Sequence, residues 1–169
     1  MSHVHRLRTS DRIFFVTVNL RRTLGPLADG EFGLVVDALA QSRRKLHFLL
    51  YGYVVMPDHW HALIWTTYPL TISRAVQDIK WNSASSLNRA RRRSGSIGQH
   101  QFWDRFVRHG KEFRDRLVYM HLNPVRKGLV ARPEGWRWSS YNNFALDQRI
   151  VARCPIQVDY VHLPELYRG

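Results

Sequence analysis

His59-Trp60-His61 opens a run of strand-forming residues. Side chains two apart on a strand point to one face, with their roots about 7 Å apart by strand rise. Two imidazoles placed this way can converge on one divalent cation, for which imidazole is a common ligand. Trp60 then points to the opposite face, into packing. His-x-His also arises by chance as two unrelated histidines on a half-exposed strand, so the spacing alone leaves the metal site open. Tyr119 and Asn123 lie four apart in a helical stretch and therefore share a face. They present a phenol and an amide to a common site, and Lys111 and Asp115 continue the stripe at the same interval. A phenol with an ordinary pKa near 10 is a weak nucleophile at neutral pH. A neighbouring cation, with coordination of a target phosphate, would supply what it lacks. The chain has 7 tyrosines, and periodicity does not choose among them.

These residues need elements to hold them. The β-branched and aromatic run 12–20 predicts a strand, and apolar spacing over 31–45 predicts a helix. Two apolar strands follow at about 46–55 and 59–66, with Pro57 and Asp58 as turn formers between them. Residues 71–93 read as a helix with Thr71 or Ser73 as N-cap, and 101–108 as a further strand. Lys111 to Asn123 is helical in pattern, with Pro124 as its stop. The order β-α-β-β-α-β-α with short antiparallel connections predicts an α+β fold in the ferredoxin-like style, an antiparallel sheet with helices on one face.

The whole chain is basic. Among 169 residues, 26 Lys and Arg stand against 13 Asp and Glu, a net charge of +13, with the greater excess after residue 80. Such a charge calls for a polyanionic partner, nucleic acid first and an acidic membrane surface second. A 44% hydrophobic composition excludes disorder from lack of core. The single cysteine, Cys154, excludes a disulfide framework and a cysteine zinc finger. No signal-peptide core precedes Asp11, and the longest nearly uncharged stretch, Leu46 to Pro57, is too short to span a bilayer, so a cytoplasmic, nucleoid-associated protein is expected. Arg89, Arg91, Arg92 and Arg93 form the densest basic cluster. It suits the phosphates of a hairpin stem, and equally a solvated helix end favoured by the dipole. Trp136, Trp138 and Tyr141, beside Arg132 and Arg137, read as a packed aromatic segment before they read as base-stacking groups.

Met56-Pro57-Asp58-His59-Trp60-His61 resembles the HUH motif (His, bulky hydrophobic, His) of single-tyrosine transposases. The stretch from Tyr119 to Val130, with its Tyr-x-His-x-Asn-Pro-Val form, resembles their nucleophile helix, and more narrowly that of the REP-associated tyrosine transposases. Phe102-Trp103-Asp104-Arg105-Phe106 and Glu112-Phe113 match the approach to that helix, so the resemblance spans about residues 12–141. It implies a ferredoxin-like HUH nuclease domain at 1–145 with a C-terminal tail at 146–169. It also implies His59, His61 and Asn123 as metal ligands and Tyr119 as nucleophile, with His121 facing away in a structural role. The implied reaction is cleavage and rejoining of single-stranded or hairpin DNA through a 5′-phosphotyrosine, without a membrane and as a monomer or homodimer. Mg²⁺ or Mn²⁺ suits two imidazoles and an amide, Mn²⁺ better because it accepts nitrogen more readily. The rival expectation is a domesticated, non-catalytic palindrome-binding regulator.

Overall fold

In the computed structural model, which describes residues 11–98 and 101–160, four strands form one antiparallel sheet in the order β2-β3-β1-β4. They are β1 (Arg12–Asn19), β2 (Leu49–Val55), β3 (His59–Thr66) and β4 (Trp103–Phe106). The helices are α1 (Phe32–Leu46), α2 (Ile72–Ala90), α3 (Gly110–Arg126) and a short α4 (Gln148–Val151). The β-α-β-β-α-β order on this sheet is the ferredoxin-like arrangement expected from the sequence. Among the described residues no helix is long and apolar enough to cross a membrane. Parts of the expected domain and tail at 1–10, 99–100 and 161–169 lie outside the described residues.

The helices occupy both faces of the sheet, which corrects the expectation of one covered face. Phe14, Val16 and Val18 of β1, with Ala62 and Ile64 of β3, pack against Val35 and Leu39 of α1 and Val76 and Ile79 of α2. Trp60 joins this core, pointing away from the two histidines beside it. On the opposite face Ile13, Phe15, Val54 and Leu63 are covered by Phe113 and Met120 of α3. The cause is in the strands themselves. β1, β2 and β3 carry apolar residues on both faces and are buried along most of their length, so both faces present side chains that water would penalise. Gly52 brings α3 close, because a Cβ there would meet Leu117 Cδ1 at 2.7 Å.

Pro124 does not stop α3, which runs to Arg126. The proline removes one N–H that would have bonded the carbonyl of Met120, a loss of a single bond near the helix end. The stop is Gly128 at φ +70°, where Gly128 N–H donates to Val125 O at 3.0 Å and Leu129 N–H to Pro124 O at 2.9 Å. Thr71 is the N-cap of α2, its hydroxyl accepting from Arg74 N–H at 3.2 Å.

The segment expected as a tail packs on the domain as far as it is described. Ile156 and Val158 enter the main core, and Asn143 holds both their backbones, donating to Ile156 O and accepting from Val158 N–H at 3.0 Å each. Trp136 and Trp138 also pack against that core around Phe32, with Trp136 Nε1–H donating to Val55 O at 3.0 Å. The aromatic segment is therefore structural, as its composition suggested.

Candidate active site

Antiparallel register sets out the site on the α3 face. His59 stands opposite Asn19, and His61 opposite Thr17. Their ring centroids are 4.7 Å apart. Two turns of α3 then bring Tyr119 to 5.6 Å from the His61 ring, while the Asn123 amide Nδ2 lies 3.2 Å from His59 Nε2. The four residues singled out from sequence therefore meet at one place, drawn from β3 and α3. His61 and Asn123 are buried, whereas Tyr119 is 40% exposed.

Each imidazole is held by its Nδ1. Asp58 Oδ1 lies 2.6 Å from His59 Nδ1, and Thr17 Oγ1 lies 2.8 Å from His61 Nδ1. A carboxylate only accepts, so His59 Nδ1–H donates to Asp58, while His59 Nε2 faces the Asn123 amide. His61 Nε2 is buried with no hydrogen-bond partner among the described residues. Burial first, then the neighbouring His59, lowers the His61 pKa to about 3, so its ring is neutral at ordinary pH. With both Nδ1 atoms tethered, the Nε2 atoms of the two imidazoles form a donor pair suited to a divalent cation, and such tethers are those that fix metal-binding histidines. The Asn123 amide has an oxygen as well as the nitrogen that faces His59, which completes a mixed nitrogen and oxygen set. No cluster of three or more His, Cys, Asp or Glu exists among the described residues. The site fits a cation only when the amide is counted.

Aromatic and cationic contacts fix the phenol. Phe15 stacks on His61 at 5.2 Å and meets Tyr119 edge-on at 6.2 Å. The Arg126 guanidinium lies 5.6 Å from the Tyr119 ring centroid, and that of Arg116 lies 5.1 Å from Phe15. Arg116 and Arg126 were not singled out from sequence, although both lie on the Tyr119 side of a 3.6-residue helix. A search along steps of four misses them. The same drift removes Lys111 and Asp115, which form an exposed pair at 2.8 Å. Four residues advance about 400°, so three steps of four turn a side chain some 120° away from Asn123. Asp58 was read only as a turn former. Thr17 carries no signal until β1 is paired with β3.

His121 takes the structural role expected of it. Its Nε2 lies 2.9 Å from Ser140 Oγ, its ring packs against Tyr141 and Phe144, and burial lowers its pKa to about 4. In both buried histidines the folded state refuses a proton that the unfolded chain accepts below about pH 6.5. Their contribution is complete above that pH and is lost as pH falls toward about 4 for His121 and about 3 for His61. Without metal, urea denaturation should give a stability lower by about 2 kcal/mol per histidine at pH 5 than at pH 7. His121→Gln should remove about half of that slope, and a flat wild-type profile would contradict both assignments.

The basic cluster divides. Arg91 turns back from the end of α2 onto Glu31, with Nε donating to Oε1 at 2.6 Å, and bonds the carbonyls of Leu24 and Pro26. Its guanidinium is committed inside the chain, which corrects its expected place on a DNA surface. Arg89, Arg92 and Arg93 are exposed. The loop Arg91 clamps also meets the turn before β3, through Leu20 N–H to Asp58 O and Leu27 N–H to Pro57 O, both 2.8 Å. The basic helix end and the Asp58–His59 tether thus share one support.

Comparison with known proteins adds four findings. Residues 30–109 match the family model described as "Transposase IS200 like". The chain is 26% identical over 162 residues to the REP-associated tyrosine transposase of Escherichia coli K12, covering 95% of this chain and 91% of that one. A relative from Haemophilus influenzae is 28% identical over 155 residues, covering 84% and 86%. A solved structure of a REP-associated tyrosine transposase bound to a REP hairpin superposes with a TM-score of 0.70 at 25% identity, covering 90% of this chain and 86% of that one.

Proposed function

From the premise that this chain belongs to the REP-associated tyrosine transposases, we propose that it is a strand transferase cleaving and rejoining single-stranded DNA at palindromic hairpins. The observation that carries this reading is the meeting of Tyr119 with His59, His61 and Asn123, two Nε2 atoms turned inward and the phenol open to solvent.

In the proposed reaction the Tyr119 oxygen attacks a backbone phosphorus. The 3′ oxygen leaves with the bonding electron pair and gains a proton, so a 5′-phosphotyrosine and a free 3′-hydroxyl result. Solvent at the exposed ring takes the phenol proton. A 3′-hydroxyl later attacks the same phosphorus and releases the tyrosine, which conserves the phosphoester energy without a nucleotide cofactor. His59, His61 and Asn123 would hold Mg²⁺ or Mn²⁺, and the bound ion would supply charge neutralisation at the phosphate. Asp58 and Thr17 keep the two rings in the required tautomer and orientation. Arg126 keeps the phenol ring facing the histidines. Arg89, Arg92 and Arg93 are free to meet phosphates of a hairpin stem.

The test is direct. Wild-type protein, Mn²⁺ and a single strand carrying a hairpin should give a covalent protein–DNA species that resists denaturation and carries the 5′ phosphate. EDTA should prevent it, and an RNA hairpin should not replace the DNA. Hairpin binding without any adduct at all metal concentrations would favour the non-catalytic regulator.

A further inference from the structure

β4 places a tryptophan beside the site on its open side. Trp103 pairs with Thr17 across β4 and β1, and Thr17 pairs with His61 across β1 and β3. Directly opposed residues in an antiparallel sheet share a face. Trp103, Thr17 and His61 therefore stand in one row on the face that carries the nucleophile. In the next row Arg105 opposes Phe15, whose ring lies against His61 and beneath Arg116. α3 covers Ile13 and Phe15 of β1 as well as β2 and β3, whereas β4 at the sheet edge is exposed at all four of its residues. Trp103 is 71% exposed there.

Exposure alone does not single it out. Trp81 is 73% exposed, but it sits on α2, whose packing is on the other side of the sheet. The distinguishing feature of Trp103 is its register with His61, with Arg105 two residues along the same strand face; Arg105 and Arg116 both reach the Glu112 carboxylate, at 3.6 and 4.0 Å. An open indole next to guanidinium groups is the arrangement that accepts a base on its face and phosphates at its side.

We propose that Trp103 is a base-stacking residue for a nucleotide flanking the phosphate that Tyr119 attacks, with Arg105 and Arg116 beside that nucleotide's backbone. The inference rests on the reaction proposed above, because the flank is defined by the scissile phosphate. It assigns to β4, otherwise an exposed edge strand, the task of holding unpaired DNA on the way into the site. Stacking tolerates any base, so the contact sets position more than sequence.

The test measures binding of a labelled hairpin with thymidine flanks, and of the same hairpin without flanks, in EDTA. Trp103→Ala should weaken the flanked hairpin roughly tenfold or more, by the usual worth of one stacked base, and leave the bare hairpin unchanged. Trp103→Phe, which keeps a π face, should recover most of the loss. Placing an abasic residue along the flank should reveal a position where wild type falls to the level of Trp103→Ala and the variant falls no further. Equal affinity of Trp103→Ala and wild type for the flanked hairpin, or additive losses at every abasic position, would overturn the assignment. Adduct formation is recorded in parallel. Absence of an adduct in wild type counts against the transferase reading, whereas the binding cycle decides the role of Trp103 regardless.

Discussion

Tyr119→Phe is expected to abolish the covalent protein–DNA species and strand cleavage, a loss of at least about 10³-fold, while hairpin affinity stays within about twofold. The substitution removes one oxygen and leaves the ring. The contacts recorded for Tyr119 are contacts of that ring, with Phe15 edge-on, His61 tilted beside it and the Arg126 guanidinium over it. None needs the hydroxyl, and the residue is too open for its oxygen to be a buried polar anchor. The variant should therefore keep wild-type thermal stability, which separates lost chemistry from lost structure. Six other tyrosines remain in the chain, so the experiment also chooses among them. An adduct that survives in Tyr119→Phe would move the nucleophile elsewhere.

His59→Ala and His61→Asn should each lower cleavage by about two to three orders of magnitude at millimolar Mn²⁺, in line with the loss of a metal ligand from a phosphoryl-transfer site. Their shared signature is metal affinity: wild type should bind one Mn²⁺ by titration calorimetry, and each variant should bind it far more weakly. Asp58→Asn touches no cation directly. It replaces the carboxylate that accepts from His59 Nδ1 at 2.6 Å, so it should weaken Mn²⁺ by about 10–100-fold with the fold intact. His61→Asn is chosen over alanine because His61 is buried against Phe15, and a cavity there would confuse packing with ligation. Cleavage by either histidine variant at the wild-type rate, with undiminished Mn²⁺ binding, would refute the metal site.

The pairing of the site residues was legible because short-range spacing puts them on shared faces, whereas the choice of Tyr119 among 7 tyrosines came from the family resemblance. His59 and His61 share a face through strand alternation, and Trp60 is sent to the core by the same rule. Tyr119 and Asn123 meet the histidines because one helical turn aligns them. Thr71 as N-cap and His121 as a buried structural group were readable on the same local terms. Arg91 was not. Its cluster reads as a solvated basic run, yet the chain reversal after α2 carries it onto Glu31, 60 residues away.

Composition and period thus determined that this chain is basic, that its strands and helices follow the β-α-β-β-α-β order, and that His59 shares a face with His61 and Tyr119 with Asn123. Each follows from properties that repeat every two or 3.6 residues. Only the tertiary structure decided that α3 covers the face opposite α1 and α2, that Thr17 and Asp58 tether the two rings, and that Trp103 shares a row with His61. Those facts depend on strand register and on which apolar face meets which helix. Both are set by burial and hydrogen bonding between segments far apart in the chain, where no local period reaches.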